Sequence, residues 1–288
     1  MQAAPLRRLA RAKINLGLKV VGRRPDGYHD IVSVFQSVDL ADELHFEPAS
    51  EDGLTCSDPA LSVGPDNLVR RATAAFRAAG GGSPVHIHLD KRIPTGSGLG
   101  GGSADAASTL TGLNELAGHP LDAAALSRLG AVLGSDVPFA LGGGTALVTG
   151  RGERLAALDW EGPAPCFVLV YPGVEVSTAW AYRHLDLGRL TGPSPYLSFL
   201  DSLCGGRLDG WRLLSVLEND FLPLVEGAKP IVAEVRSQLC RLGARVSSMS
   251  GSGSTVYGVF DDRSAAQKAC SRLVEGGHRS FFCEPVFR

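Results

Sequence analysis

The chain of 288 residues contains no C-x-x-C pair. Its six cysteines, Cys56, Cys166, Cys204, Cys240, Cys270 and Cys283, are scattered, which argues against a cysteine-based zinc or redox motif. Reduced thiols in a cytoplasmic setting are expected. No apolar run approaches the ~18 residues of a membrane span, and no apolar signal core accompanies Arg7, Arg8 and Arg11, so neither membrane insertion nor secretion is expected. Charge of one sign is also lacking. A net charge of −2 gives no whole-protein field to draw nucleic acid. No repeat of fixed period is visible. What is present is the composition of a globular protein, 44% hydrophobic and 20% charged, long enough for one large or two ordinary domains.

Glycine is abundant where it counts. Of the twelve residues from Pro94 to Asp105, five are glycine. Before them Val85, Ile87 and Leu89 alternate with His86, His88 and Asp90, the period of a half-buried strand. After them Ala106 to Leu116 is rich in Ala and Leu and reads as a helix. A glycine turn between strand and helix suits an anion, because the backbone can approach closely and the helix start offers N–H groups. A Cβ at Gly100 or Gly101 is expected to block that approach while leaving the fold largely intact. Ser103 and Asp105 are residue types that cap helix starts. A P-loop would need lysine where Gly102 stands. Gly96, Gly98 and Gly101 match the dinucleotide fingerprint, yet the expected acid about 20 residues on is missing.

Elsewhere, Leu9 to Val21 alternates cleanly, placing Arg11, Lys13, Asn15, Gly17 and Lys19 on one face. Such a row is either a solvated face or a functional one. Pro25-Asp26-Gly27 is a turn, followed at once by Tyr28 and His29 and by a second strand from Ile31. Asp122 is a plausible helix cap, and Asp136 either caps the helix that Pro138 opens or does chemistry. A boundary is expected near 159–165, dividing the chain into segments 1–158 and 159–288. In the second, helices and the strands flanking Ser250-Gly251-Ser252-Gly253-Ser254 suggest an α+β domain.

Three stretches now stand in order: Ala12-Lys13-Ile14-Asn15-Leu16, Pro94 to Ser103, and Ser250 to Ser254. Together they resemble the three motifs of the galactokinase, homoserine kinase, mevalonate kinase and phosphomevalonate kinase (GHMP) family. The run Gly22 to His29, with Phe35-Gln36, is similar to one member acting on a cytidine diphosphate-linked methylerythritol. The resemblance implies a two-domain α+β fold, with an N-terminal domain like ribosomal protein S5 domain 2 and a C-terminal ferredoxin-like domain. It implies phosphorylation of a small-molecule alcohol by ATP with Mg²⁺, by a monomer or homodimer. Lys13 and Asp136 would be catalytic. Pro94, Gly96, Ser97, Gly98, Leu99, Gly100, Gly101, Gly102, Ser103 and Ala104 would bind ATP. Asn15, Tyr28, His29 and Tyr182 would bind the acceptor, with Trp180 the neighbour most easily confused with Tyr182. The metal ligands are unassigned. Ser97 stands where the family usually has Ala, and Ala104-Asp105 where it often has Ser-Asn, which puts a carboxylate near the expected polyphosphate.

The chemistry is coherent. Phosphoryl transfer needs positioning and charge stabilisation, and an Asp within reach of the alcohol could take its proton. Lys13 could keep Asp136 ionised if the two meet. The competing readings are another kinase of the family, a dinucleotide-binding oxidoreductase, and an inactive binding protein on the same fold.

Overall fold

The computed structural model describes residues 6–79, 81–190, 193–203 and 205–288. Cys204 therefore lies outside the described residues, and the other five cysteines are free thiols. In chain order the elements begin with β1 (Leu6–Arg23), β2 (His29–Pro48), β3 (Gly53–Cys56), α1 (Leu68–Ala78), β4 (Val85–Asp90) and α2 (Gly101–Leu116). They continue with α3 (Ala123–Leu133), α4 (Val137–Gly142), β5 (Thr145–Gly150), β6 (Arg154–Ala157), β7 (Asp159–Glu161), β8 (Cys166–Tyr171) and α5 (Thr178–His184). The remainder are α6 (Pro195–Asp201), β9 (Arg207–Asp209), α7 (Gly210–Ser215), α8 (Leu222–Ala228), α9 (Pro230–Arg241), β10 (Val246–Met249), β11 (Val256–Phe260), α10 (Arg263–Glu275) and β12 (Arg279–Cys283). The contacts divide the chain into two compact units. One comprises the residues up to Ala12, Leu40–Thr95 and Gly100–Gly142; the other comprises Lys13–Asp39, Gly96–Leu99 and Gly143–Arg288. This division cuts across residue 158, since β5 and β6 cluster with the C-terminal residues.

In the first unit the later half of β2 pairs antiparallel with β4, Leu44 facing Leu89 and Phe46 facing Ile87. The short β3 lies parallel to β4. Helix α1 starts where the Asn67 side chain accepts from the Val69 N–H at 2.8 Å, and buries Val69, Ala72, Thr73 and Phe76, one helical stripe. Asp122 caps α3 by accepting from the Ala125 N–H. Leu110, Leu113, Val137 and Phe76 join the strands' Leu44, Phe46, Ile87 and Leu89 in one apolar core.

The second unit contains a four-stranded antiparallel sheet in the order β10-β11-β8-β12. Counted along the chain these are its second, third, first and fourth strands. With α9 before β10 and α10 before β12, this is the ferredoxin-like split βαββαβ arrangement. Its core packs Val232, Val235 and Leu239 of α9 and Ala266, Ala269 and Leu273 of α10 with Val168, Val170, Val256 and Phe260. The early half of β2 pairs antiparallel with β5, Ile31 opposite Gly150. Thus the strand that follows α2 does not return parallel to β4. The βαβ unit required by a dinucleotide fingerprint is not formed, and the oxidoreductase alternative falls with it.

Candidate active site

The middle of β1 is not a solvated face. Lys13 is 8% and Asn15 1% exposed, although their neighbours Ile14 and Leu16 are buried as well. A strand buried on both faces must satisfy every polar side chain internally. Lys13 Nζ donates to Asn15 Oδ1 at 2.7 Å and lies 4.3 Å from the centroid of the Phe35 ring, a cation–π contact. Asn15 Nδ2 donates to Ser33 Oγ at 3.0 Å, which donates to the Gly17 carbonyl at 2.6 Å. The Asn15 carbonyl accepts from Tyr257 Oη at 3.0 Å. Asn15, expected to bind the acceptor, also orients Lys13. Gly17, inside β1, has a φ of +85°, and a Cβ there would overlap the Tyr196 ring. Beside it Tyr196 Oη donates to the Leu16 carbonyl at 2.7 Å and accepts from the Val34 N–H at 3.0 Å. Burial pushes the Tyr196 phenol well above its ordinary value, so it stays protonated and can donate.

Two glycine-containing loops of the second unit lock together. The Leu99 carbonyl accepts from the Lys13 N–H and the Ser97 carbonyl from the Thr255 N–H, each at 3.0 Å. Ser250 Oγ donates to the Gly98 carbonyl at 3.0 Å and accepts from the Asn15 N–H at 3.2 Å. Gly98 has a φ of +82°, and a Cβ there would come 2.6 Å from the Ser250 carbonyl oxygen and 2.9 Å from that of Gly253. Gly98, then, serves loop-to-loop approach, and the carbonyls of Ser97, Gly98 and Leu99 are tied to the scaffold. Asn219, which the sequence reading missed, secures the second loop. Its Nδ2 donates to the Met249 and Gly251 carbonyls at 2.8 and 2.9 Å, while its Oδ1 accepts from the Phe221 N–H. The flanking Glu218 and Asp220 hold the buried Lys19 of β1 at 3.0 and 2.6 Å. The one signal in the sequence is a polar run, Glu218-Asn219-Asp220, between Leu217 and Phe221.

In the first unit α2 starts at Gly101, a turn and more earlier than expected at Ala106. Ser103 and Asp105 are inside the helix and cap nothing. Gly100 occupies the N-cap in the left-handed region with no side-chain cap bond. The first-turn N–H groups have no intrahelical partner, and an uncapped helix start of this kind suits an anion. Pro94, Ser97, Leu99 and Ala104 are buried, whereas Gly96 and Gly102 are exposed. The expectation for Gly101 needs correction: a Cβ there would come 2.9 Å from Ile93 Cγ2, so substitution disturbs packing and not only ligand approach. Lys91 is held between carboxylates, 2.5 Å from Asp42 and 2.8 Å from Asp105. Asp136 is half-buried directly before α4, where its carbonyl accepts from the Ala140 N–H at 3.0 Å.

The aromatic residues sort themselves in the second unit. His29 and Tyr182 stack, with ring centroids 4.9 Å apart and planes 22° from parallel. Tyr182 also meets Phe221 edge-on at 4.8 Å. Trp180 is turned to His184 instead. Tyr28 is 59% exposed, its ring covered on one side by the Arg151 guanidinium at 4.8 Å. The turn before it closes through the Arg24 N–H on the Tyr28 carbonyl, and Asp26 Oδ1 accepts from the Tyr28 N–H. Burial, and then the charge of Arg23, push the His29 imidazole below its ordinary value, so it is neutral at pH 7. Among the described residues no group of three or more His, Cys, Asp or Glu side chains is placed to hold a metal ion.

Residues 67–144 match the model for the GHMP kinases N terminal domain, and residues 200–279 the model for the GHMP kinases C terminal domain. The 4-diphosphocytidyl-2-C-methyl-D-erythritol kinase of Geobacter sp. (strain M21) is 43% identical over 93% of this chain and 94% of its own length. The enzyme of the same name from Citrifermentans bemidjiense is 41% identical over 98% of both chains. A crystal structure of 4-(cytidine 5'-diphospho)-2C-methyl-D-erythritol kinase superposes with a TM-score of 0.79 at 37% identity, covering 97% of this chain and 99% of the other. The homoserine kinase of Cytophaga hutchinsonii, at 20% identity and a TM-score of 0.73, shares the fold. The chain therefore belongs to the GHMP kinases, in the family of its 4-diphosphocytidyl-2-C-methyl-D-erythritol kinase relatives.

Proposed function

We propose that this kinase transfers the γ-phosphoryl group of ATP to the 2-hydroxyl of 4-diphosphocytidyl-2-C-methyl-D-erythritol, in the non-mevalonate route to isoprenoid precursors. The observation that carries the reading is the near full-length identity with curated kinases of that name. In this reading the N–H groups at the uncapped start of α2, from Gly101 to Ser103, receive the phosphates, and Gly96 to Gly100 with Pro94 and Ala104 shape their approach. Mg²⁺ would need no closed protein cage, since an ATP-bound ion takes most of its ligands from phosphate and water. When bound it neutralises charge on the β- and γ-phosphate oxygens.

Asp136 acts as the base, accepting the proton of the acceptor hydroxyl. Lys13 supplies the catalytic positive charge that steadies the transferring phosphoryl group. Asn15 and Phe35 hold the Lys13 ammonium in place. The neutral His29 imidazole hydrogen-bonds the polar edge of cytosine, and Tyr28 and Tyr182 offer stacking faces. The enzyme is cytoplasmic, a monomer or homodimer, and acts on a small molecule with no nucleic-acid or membrane partner; none of its described helices is long and apolar enough to cross a membrane. In this reading the functional division of the chain is 1–158 and 159–288. The test is ADP release by the purified protein with 4-diphosphocytidyl-2-C-methyl-D-erythritol, mevalonate and homoserine in parallel. Turnover of the cytidyl compound alone supports the reading; preference for either other alcohol overturns it.

A further inference from the structure

The segment that carries the glycines leaves β4 at Asp90 and enters α2 at Gly101. Lys91, the first residue past the strand, reaches over to Asp105 in α2, with Nζ 2.8 Å from Oδ2. The same ammonium is 2.5 Å from Asp42 Oδ2. Asp42 then uses its other oxygen, Oδ1, to accept from the N–H groups of Arg92 and Ile93 at 2.6 and 2.8 Å. The three side chains are 5%, 0% and 4% exposed, for Lys91, Asp42 and Asp105. Gly101 completes the knot, since a Cβ there would sit 3.4 Å from Lys91 Nζ. Strand end, turn and helix start are joined at one buried point.

This knot is an expensive way to hold two elements together. Two carboxylates share one ammonium, and Asp105 Oδ1 is buried with no hydrogen-bond partner. Buried ion pairs seldom stabilise more than apolar residues of the same volume, and an orphaned buried acceptor adds a penalty. Burial first, then the nearby Asp42 charge, push the Asp105 carboxyl up to about 7 against the pull of Lys91. The Cys56 thiol on β3 is the further titratable group that feels both Lys91 and Asp105. A costly charged arrangement with a strongly shifted acid, at the base of a ligand-binding segment, points to function.

We propose that Asp105 is a positioning residue for nucleotide binding: through Lys91 it clasps the start of α2 to the end of β4, and so aims the first-turn N–H groups at the phosphates. The proposal rests on the kinase reading above. It also explains why Lys91, placed just before the loop, is not itself offered to the nucleotide.

The experiment compares full-length wild type with Asp105→Ala and Asp105→Asn by hydrogen exchange at the amides of Ala104 to Ala106 without ligand, and by KM for ATP and for the acceptor from pH 6 to 8. Asp105→Ala is expected to speed exchange in that turn and raise KM for ATP about tenfold, with KM for the acceptor unchanged. Asp105→Asn keeps an oxygen for Lys91 and is expected to restore most of the ATP affinity. Because it cannot titrate, its KM for ATP should also lose the part of the pH dependence that wild type shows around pH 7; titration of ATP itself is common to both proteins. Wild-type exchange and KM in a folded Asp105→Ala protein overturn the proposal. If that variant does not fold, Asp105→Asn decides: a pH profile of KM identical to wild type overturns it, a flattened one supports it. Should wild type phosphorylate no acceptor, the kinase reading fails, while the exchange comparison still decides the clasp.

Discussion

Tyr196 is the residue whose loss the structure prices most clearly. Its hydroxyl bridges the Leu16 carbonyl of β1 and the Val34 N–H of β2 beside Gly17, and the residue is fully buried. Tyr196→Phe removes one oxygen and keeps the ring, so no large cavity opens. Two buried backbone groups, the Leu16 carbonyl and the Val34 N–H, lose a partner. Each costs about 1–3 kcal/mol when orphaned, and the hydroxyl's own desolvation penalty is recovered, leaving a net loss of about 2–3 kcal/mol. Equilibrium urea unfolding reads this directly. With a slope of about 2–3 kcal/mol/M the midpoint should fall by about 1 M, with the slope unchanged. A midpoint within about 0.2 M of wild type, on the scale of that slope, would refute the claim that the hydroxyl bridges the strands that carry Lys13 and Ser33.

Gly98→Ala forces a side chain into the left-handed region and against two carbonyls of the Ser250–Ser254 loop. It should cost at least about 2 kcal/mol in unfolding experiments and raise KM for ATP; a fully stable variant contradicts the loop-to-loop packing. Tyr28→Ala and His29→Ala should each raise KM for the cytidyl acceptor about tenfold and leave KM for ATP unchanged. Equal use of uridyl and cytidyl acceptors by wild type would show that the base edge is not read. For Asp105 the folded value of about 7 lies above the unfolded value of 3.8, so its contribution to stability is complete below pH ~4 and is lost as pH rises through 7. Relative to Asp105→Asn, wild type should lose on the order of 2 kcal/mol between pH 5 and pH 8. Parallel stability curves for the two proteins would contradict the buried, partly protonated carboxyl.

Much of this was legible in the residues. Alternation placed Lys13 and Asn15 side by side on a strand, and Pro-Asp-Gly placed Tyr28 and His29 after a turn. What alternation does not carry is which strand face meets water. Lys13 and Asn15 are buried because Phe35, Ser33, Tyr257 and Ser250 cover them, and those partners are distant in sequence. The start of α2 was hidden because Gly101 and Gly102 are poor helix formers; burial of Ala104 and Asp105 and the packing of Gly101 against Ile93 outweigh that preference. Tyr182 and Trp180 are two aromatic residues close together in sequence, yet residues two apart on a helix point to different faces. Only Tyr182 lies on the face that meets His29 and Phe221. Asn219 holds backbone carbonyls of a remote loop, and the polar run Glu218-Asn219-Asp220 marks its position without announcing that role. The knot of Asp42, Lys91 and Asp105 is likewise a meeting of three segments that no local spacing announces.

The central claim is that Asp136 accepts the proton of the acceptor hydroxyl during phosphoryl transfer at this site. The most direct measurement is the turnover of Asp136→Asn with saturating ATP and 4-diphosphocytidyl-2-C-methyl-D-erythritol, beside wild type. Asparagine keeps the size and much of the capping ability of aspartate but cannot take up the proton as a base. The account predicts a fall in kcat of roughly 10²–10⁴ with stability changed by no more than about 1 kcal/mol. A kcat within a few-fold of wild type would contradict it and leave Asp136 with a structural part alone.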